Sequence, residues 1–229
     1  MNTLRIFIGF DSRETVAYHV LCQSILARSS RPVSFTPIAL KNLEGVFKRE
    51  THPLQSTQFS FSRFLVPWMS GYEGWSLFMD CDMICREDIA RLFECCDENY
   101  AVMVAKHAHI PREETKFLGA KQSKYEKKNW SSVMLFNNPE CRALNPEYVN
   151  TATGLELHQF KWLEGDHLIG EFDKKWNHLV DYNEPNPNAA IVHYTLGGPY
   201  FEAYKGCEFS REWEEEFQET IKVVEKGLA

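Results

Sequence analysis

The chain lacks long hydrophobic runs, paired cysteines and any surplus of positive charge, and each absence removes a class of protein. No uninterrupted apolar stretch approaches the roughly 18 residues of a membrane span, so no transmembrane segment is expected. Met1-Asn2-Thr3-Leu4-Arg5 runs straight into a strand pattern and not into a signal peptide, so a soluble, cytoplasmic protein is expected. Cys22, Cys81, Cys85, Cys95, Cys96, Cys141 and Cys207 are odd in number and form neither a Cys-x-x-Cys pair nor a zinc-site spacing. They read as buried or incidental thiols in a reducing compartment. A net charge of −7 argues against a general nucleic-acid surface, which needs clustered Lys and Arg to release counterions. There is no internal repeat and no low-complexity linker, and Pro185-Asn186-Pro187-Asn188 is a turn. With 229 residues and 44% hydrophobic content, one domain with one full core is expected.

What is present is an alternation of strand and helix periods. Leu4–Gly9 reads as a buried strand, and Val16, Val20, Leu21, Ile25 and Leu26 recur at helical spacing over 14–27. Strands are also expected at 33–40, from Trp75 to Met79, at 100–105, at 133–136 and at 189–192. Short helices are expected over 61–69, closing near Pro67, and from Ile89 with Asp88 as its cap. The stretch 150–164 is ambiguous, 166–172 reads as one or two helical turns, and 210–226 as a closing helix. This order favours an α/β sandwich whose central sheet is mainly parallel and flanked by helices.

The apolar run of Trp75 to Met79 stops at Asp80-Cys81-Asp82. On an extended backbone alternate side chains share a face, so both carboxylates point into whatever cleft the strand end opens on. Either they cap a βα turn, or they hold a hard cation such as Mg2+ or Mn2+, which completes its shell with water and substrate phosphates. In open α/β sheets ligands sit beyond the carboxyl ends of strands, which draws attention to Asp11 and His193 as well. The crowd of Lys116, Lys121, Lys124, Lys127 and Lys128 is either a solvated face or a positive rim for an anionic ligand.

Several segments in register resemble a known family. They are a first strand followed by Asp11 and Tyr18, Phe61-Ser62-Arg63, Phe78-Met79-Asp80-Cys81-Asp82, Ser131-Ser132-Val133-Met134-Leu135-Phe136-Asn137, Trp176-Asn177, and His193-Tyr194 with the pair Gly197-Gly198. Together they resemble glycosyltransferase family 8, retaining nucleotide-sugar transferases of the GT-A fold. The resemblance implies one GT-A-like domain over 1–229, with a nucleotide-binding half of about 1–105, an acceptor and metal half of about 106–205 and a C-terminal helix of about 210–226.

The resemblance further implies that Asp80, Asp82 and His193 ligate Mn2+ or Mg2+ bridging a sugar-nucleotide diphosphate, a donor set that mixed carboxylate and imidazole chemistry suits. Asp11, Tyr18, Arg63, Ser131, His167, Gly197 and Gly198 would contact the nucleotide or the donor, and Asp166 would serve the chemistry at the transferred sugar. From the residues alone, Asp11 could cap the first helix, Tyr18 could pack in the core, Arg63 could form an ordinary salt bridge, and Asp166 could cap a helix. The chain departs from the family at three places: His167 stands in place of a glutamine, Trp130 in place of an asparagine, and no lysine follows the glycines, where Lys205 or a lysine of 116–128 could substitute. The implied activity is retaining transfer of a hexose from a nucleoside-diphosphate sugar to a glycan, lipid-linked or small-molecule acceptor. The alternatives are a sugar-nucleotide-binding protein without turnover, and a phosphohydrolase with Asp80 as nucleophile.

Overall fold

The computed structural model describes residues 2–50, 55, 57–108 and 126–224. Leu4–Gly9 forms β1, its alternate residues buried on both faces of a sheet, and Thr15–Leu26 forms α1, which buries Ala17, Val20, Leu21, Ser24 and Ile25. β2 is Val33–Ile38, and a 3-10 turn at Ser62–Leu65 runs into α2, Val66–Met69. Pro67 lies in the first turn of α2, where a missing N–H costs nothing, and so opens the helix that it was expected to close. β3 is Trp75–Met79, β4 is Met83–Cys85, α3 is Ala90–Phe93 and β5 is Val102–Val104. β6 follows at Val133–Asn137, then α4 at Pro146–Thr151 and α5 at Gly154–His158. β7 is Ile169–Glu171, β8 His178–Leu179, β9 Ile191–His193 and α6 Ser210–Thr220.

The six-stranded sheet has the order β2-β1-β3-β6-β5-β7. β1 runs parallel to β2 and β3, and β5 to β7, while β6 lies antiparallel between β3 and β5. The fold is α/β with a mixed, mostly parallel sheet flanked by helices. A second sheet, β4-β9-β8, was not expected, because strands of two and three residues carry too little pattern to read. The helical turns expected over 166–172 give way to a 3-10 turn at Asp166–Leu168 and then β7, which pairs with β5. α6 ends at Thr220, and residues 225–229 of the expected closing helix lie outside the described residues.

The core is continuous through the large sheet. Ile6, Ile8, Leu77, Phe78, Met79, Leu135 and Phe136 are fully buried, and so are Phe59 and Phe64 from the segment before α2. Burying such side chains contributes roughly 1.5–3 kcal/mol each, which is why the ends of β3 and β6 are held firmly enough to aim polar groups.

Candidate metal and donor site

Two pairings bring the site together. β3 ends at Met79, so Asp80 and Asp82 leave the sheet beside the turn that starts β6, with the Asp80 N–H bonded to Ser132 O at 2.9 Å. β4 then pairs antiparallel with β9 so that Met83 lies opposite His193, next to Asp82. His193 Nε2 is 3.4 Å from Asp82 Oδ1, and one ligand atom from each of Asp80, Asp82 and His193 lies within 4.8 Å of the other two. All three are buried. Two carboxylate oxygens and one imidazole nitrogen form a donor set for a divalent cation, with coordination positions left over for ligand oxygens.

Arg63 is the countercharge of this cluster. Its Nη1 is 2.7 Å from Asp80 Oδ1 and donates to Ser131 O at 2.8 Å, and its guanidinium lies against the rings of Phe59 and Phe78 at 5.2 and 4.9 Å. Ser131 is positioned in turn by His158, whose Nδ1 is 2.7 Å from Ser131 Oγ. Burial, then the charge of Arg63, pushes the His158 imidazole down to about 3, so it stays neutral. Arg63 and Ser131 thus meet Asp80 as parts of one network.

Glu14, at the start of the 14–27 stretch, is a buried carboxyl beside the cluster. Tyr200 Oη donates to its Oε2 at 2.6 Å, and the Cys81 thiol donates to Oε1 at 3.7 Å. Burial and then the charge of Asp82 push it up to about 8. Glu14 stands at the N-cap of α1, where its carbonyl accepts from Ala17 N at 2.9 Å. Cys81, between the two aspartates, is fully buried and its thiol is pushed well above the ordinary range, so it acts as a donor here. The surplus of carboxylates over Arg63 is the electrostatic condition that favours a bound cation.

The other expected site residues are distributed as follows. Asp11 does not cap α1: its carboxylate accepts from Arg13 N and Nε at 3.0 and 2.9 Å, from Arg13 Nη2 at 2.5 Å and from Gln58 N at 3.0 Å. Burial raises that carboxyl, but the Arg13 and Gln58 hydrogen bonds outweigh it and hold it below its ordinary value. Tyr18 packs edge-on against Phe10 at 5.6 Å, and burial raises its hydroxyl. Gly197 adopts φ +148°, open to glycine and strained for other residues, and a Cβ on Gly198 would meet the Tyr200 ring at 2.2 Å.

Asp166 is largely exposed and is paired with Lys127 Nζ at 2.6 Å, which also donates to Gln159 O at 3.0 Å. Lys127 leads through Asn129 into the Ser131-Ser132 turn, so Asp166 is joined to the cluster through one short segment. His167 follows it in the same 3-10 turn. Lys205 is exposed and paired with Glu202 at 2.6 Å. Of the basic segment, Lys116, Lys121 and Lys124 lie outside the described residues. Among the described residues no helix is long and apolar enough to cross a membrane.

No protein-family model matches the chain. Solved structures are similar to it in fold. The bifunctional glycosyltransferase WbbM superposes with a TM-score of 0.68 at 12% identity, over 94% of this chain and 49% of that one, so the chain spans about half of WbbM's length. The galactosyltransferase LgtC, solved with donor and acceptor sugar analogues, gives 0.61 at 13% identity over 97% and 98% of the two chains. The glycosyltransferase GlyE of Streptococcus pneumoniae TIGR4 gives 0.64 at 12% identity over 97% and 61%. These neighbours, with the mixed sheet and its flanking helices, make this a GT-A glycosyltransferase fold. A sequence relative is much nearer: Protein CDI of Arabidopsis thaliana is 46% identical over 231 aligned positions, covering 97% of this chain and 89% of that protein. The chain therefore belongs to the Protein CDI family.

Proposed function

We propose that this protein is a metal-dependent glycosyltransferase of the family 8 kind, moving a hexose with retention from a nucleoside-diphosphate sugar to a glycan, lipid-linked or small-molecule acceptor. The observation that carries the reading is the convergence of Asp80, Asp82 and His193 at the end of β3 in a GT-A fold. LgtC, with its bound donor and acceptor sugar analogues, supports the choice of substrate class. The whole chain acts as one domain in this reading, with the donor over β1–β5 and the acceptor beside the later loops.

Asp80, Asp82 and His193 would hold Mn2+ or Mg2+, and when bound the cation supplies charge neutralisation for a departing diphosphate. Arg63 pairs with Asp80 and holds it in place, and Ser131 is steadied by a neutral His158. Gly197 and Gly198 allow the backbone to approach phosphate oxygens closely. Asp166, kept anionic by Lys127, stabilises positive charge developing on the transferred sugar, with His167 beside it. Asp11 and Tyr18 lie on the nucleotide side, where Asp11 holds Arg13 in position.

The test is a panel of sugar nucleotides incubated with and without Mn2+ and assayed for released nucleoside diphosphate, sugar and inorganic phosphate. Slow donor hydrolysis that requires Mn2+ and disappears in Asp82→Asn is expected. Binding of every donor without any release favours a sugar-nucleotide-binding protein, the reading to which the absent lysine after Gly198 points. Phosphate released from a nucleoside diphosphate or sugar phosphate instead overturns the transferase reading.

A further inference from the structure

Trp176-Asn177 has no part in the transfer described above, yet Asn177 is completely buried against His193. The orientation of its amide follows from its partners. Nδ2 lies 3.2 Å from the Asn129 carbonyl and 2.9 Å from Ser132 Oγ. A carbonyl oxygen only accepts, so the amide NH2 faces Asn129 and Oδ1 faces the imidazole. The Ser132 hydroxyl donates to the same carbonyl at 2.7 Å, which leaves its lone pairs for Asn177.

Asn177 Oδ1 is 3.1 Å from His193 Nδ1 and can only accept there, so Nδ1 carries the proton. In the neutral ring the lone pair then belongs to Nε2, the nitrogen that faces Asp82. Asn129 sits at φ +66°, a left-handed conformation that asparagine tolerates well, and this turns its carbonyl to both donors. The same turn bonds the Asp80 N–H through Ser132 O. One short segment therefore holds the backbone of one carboxylate and the ring of the imidazole. The acceptor is a neutral amide, which adds no further anion beside Asp80 and Asp82.

We propose that Asn177, oriented by the Asn129 carbonyl and the Ser132 hydroxyl, is a positioning residue that locks His193 in its Nδ1-protonated tautomer and so presents Nε2 as a ligand to a divalent cation. This rests on the metal reading above and adds the part of the chain that readies the imidazole for it. Groups in such outer positions typically change metal affinity about 10–100-fold when replaced.

The test uses the full chain with 15N-labelled histidine, metal-free and at a pH where the ring is neutral, with His193→Gln to assign the signal. Two-bond proton-nitrogen correlation reads the tautomer, calorimetric titration reads Mn2+ affinity, and thermal melting reads stability. In the wild type, protonation at Nδ1 is expected. Asn177→Leu loses the tautomer preference and weakens Mn2+ by about 10–100-fold. Asn177→Asp still accepts the Nδ1 proton, so it keeps the tautomer and binds Mn2+ within a few-fold of wild type. That variant melts lower, because a carboxylate oxygen then faces the Asn129 carbonyl. If Asn177→Leu does not fold, the Asp variant decides alone: affinity kept while stability falls supports the positioning role, and affinity lost in step with stability overturns it. An Nε2-protonated ring in the wild type overturns it directly. A locked Nδ1 tautomer in a wild type that binds no Mn2+ overturns the metal reading, and with it the ligand role, but not the lock.

Discussion

Glu14 carries a carboxyl into a site already occupied by Asp82, and burial with that charge lifts it to about 8. In the unfolded chain it titrates near 4.5, so between those values the folded state holds a proton that the unfolded state lacks. The stability it confers is complete below about pH 4.5 and is lost as pH rises through about 8. Urea melts in chelator from pH 5 to 8.5 should show the wild type losing stability relative to Glu14→Gln, at up to about 1.4 kcal/mol per pH unit. Parallel profiles would refute this. His158 has the opposite sign: its folded value of about 3 lies below the unfolded 6.5, so its contribution is present above 6.5 and is lost as pH falls towards 3. His158→Gln should therefore lose less stability than the wild type between pH 6.5 and 4, as read by the same melts. Asp80 and Asp82 were legible as a pair because strand alternation needs only neighbouring residues. The burial of Glu14 was not, because its partners Tyr200 and Asp82 lie far along the chain.

At the level of elements, α5 is short and depends on its first turn. Thr153 accepts from Glu156 N at 3.1 Å, and Glu156 accepts from Thr153 N at 2.6 Å, a reciprocal capping box. Because α5 delivers His158 to Ser131, Thr153→Ala should lower stability by about 1 kcal/mol in urea unfolding and loosen Ser131. An unchanged midpoint would show that packing alone holds the helix. β1 ends at Gly9, where an added Cβ would meet the Phe59 ring at 2.3 Å. Gly9→Ala should cost about 1–3 kcal/mol, since Phe59 is itself packed against Phe78 and Arg63. Strands β1, β3 and β6 were readable as apolar runs bounded by polar residues. β4, β7 and β8 were not, since two or three residues become a strand only when a partner supplies the hydrogen bonds.

Across the whole molecule, a ligand that binds only the folded state raises stability by mass action, about 2.7 kcal/mol at a hundred times its Kd. Mn2+ with a nucleoside diphosphate should therefore raise the Tm of the wild type by several degrees in a thermal melt. Asp82→Asn should abolish that rise and leave the metal-free Tm unchanged or higher, because one of the facing negative charges is gone. Equal shifts for both proteins would place the ligand elsewhere.

The sequence by itself determined the α/β class, the main strands and the acidic pair at the end of β3, because each rests on local periodicity and on the chemistry of adjacent residues. His193 was expected beside that pair from the family resemblance; only the tertiary structure decided how Asn177 and Asn129 orient its imidazole, and that Glu14 lies in the electric field of the pair. Those relations depend on the β4–β9 pairing and on contacts across tens to hundreds of residues, and the distances between such groups are set by packing, which no local pattern records.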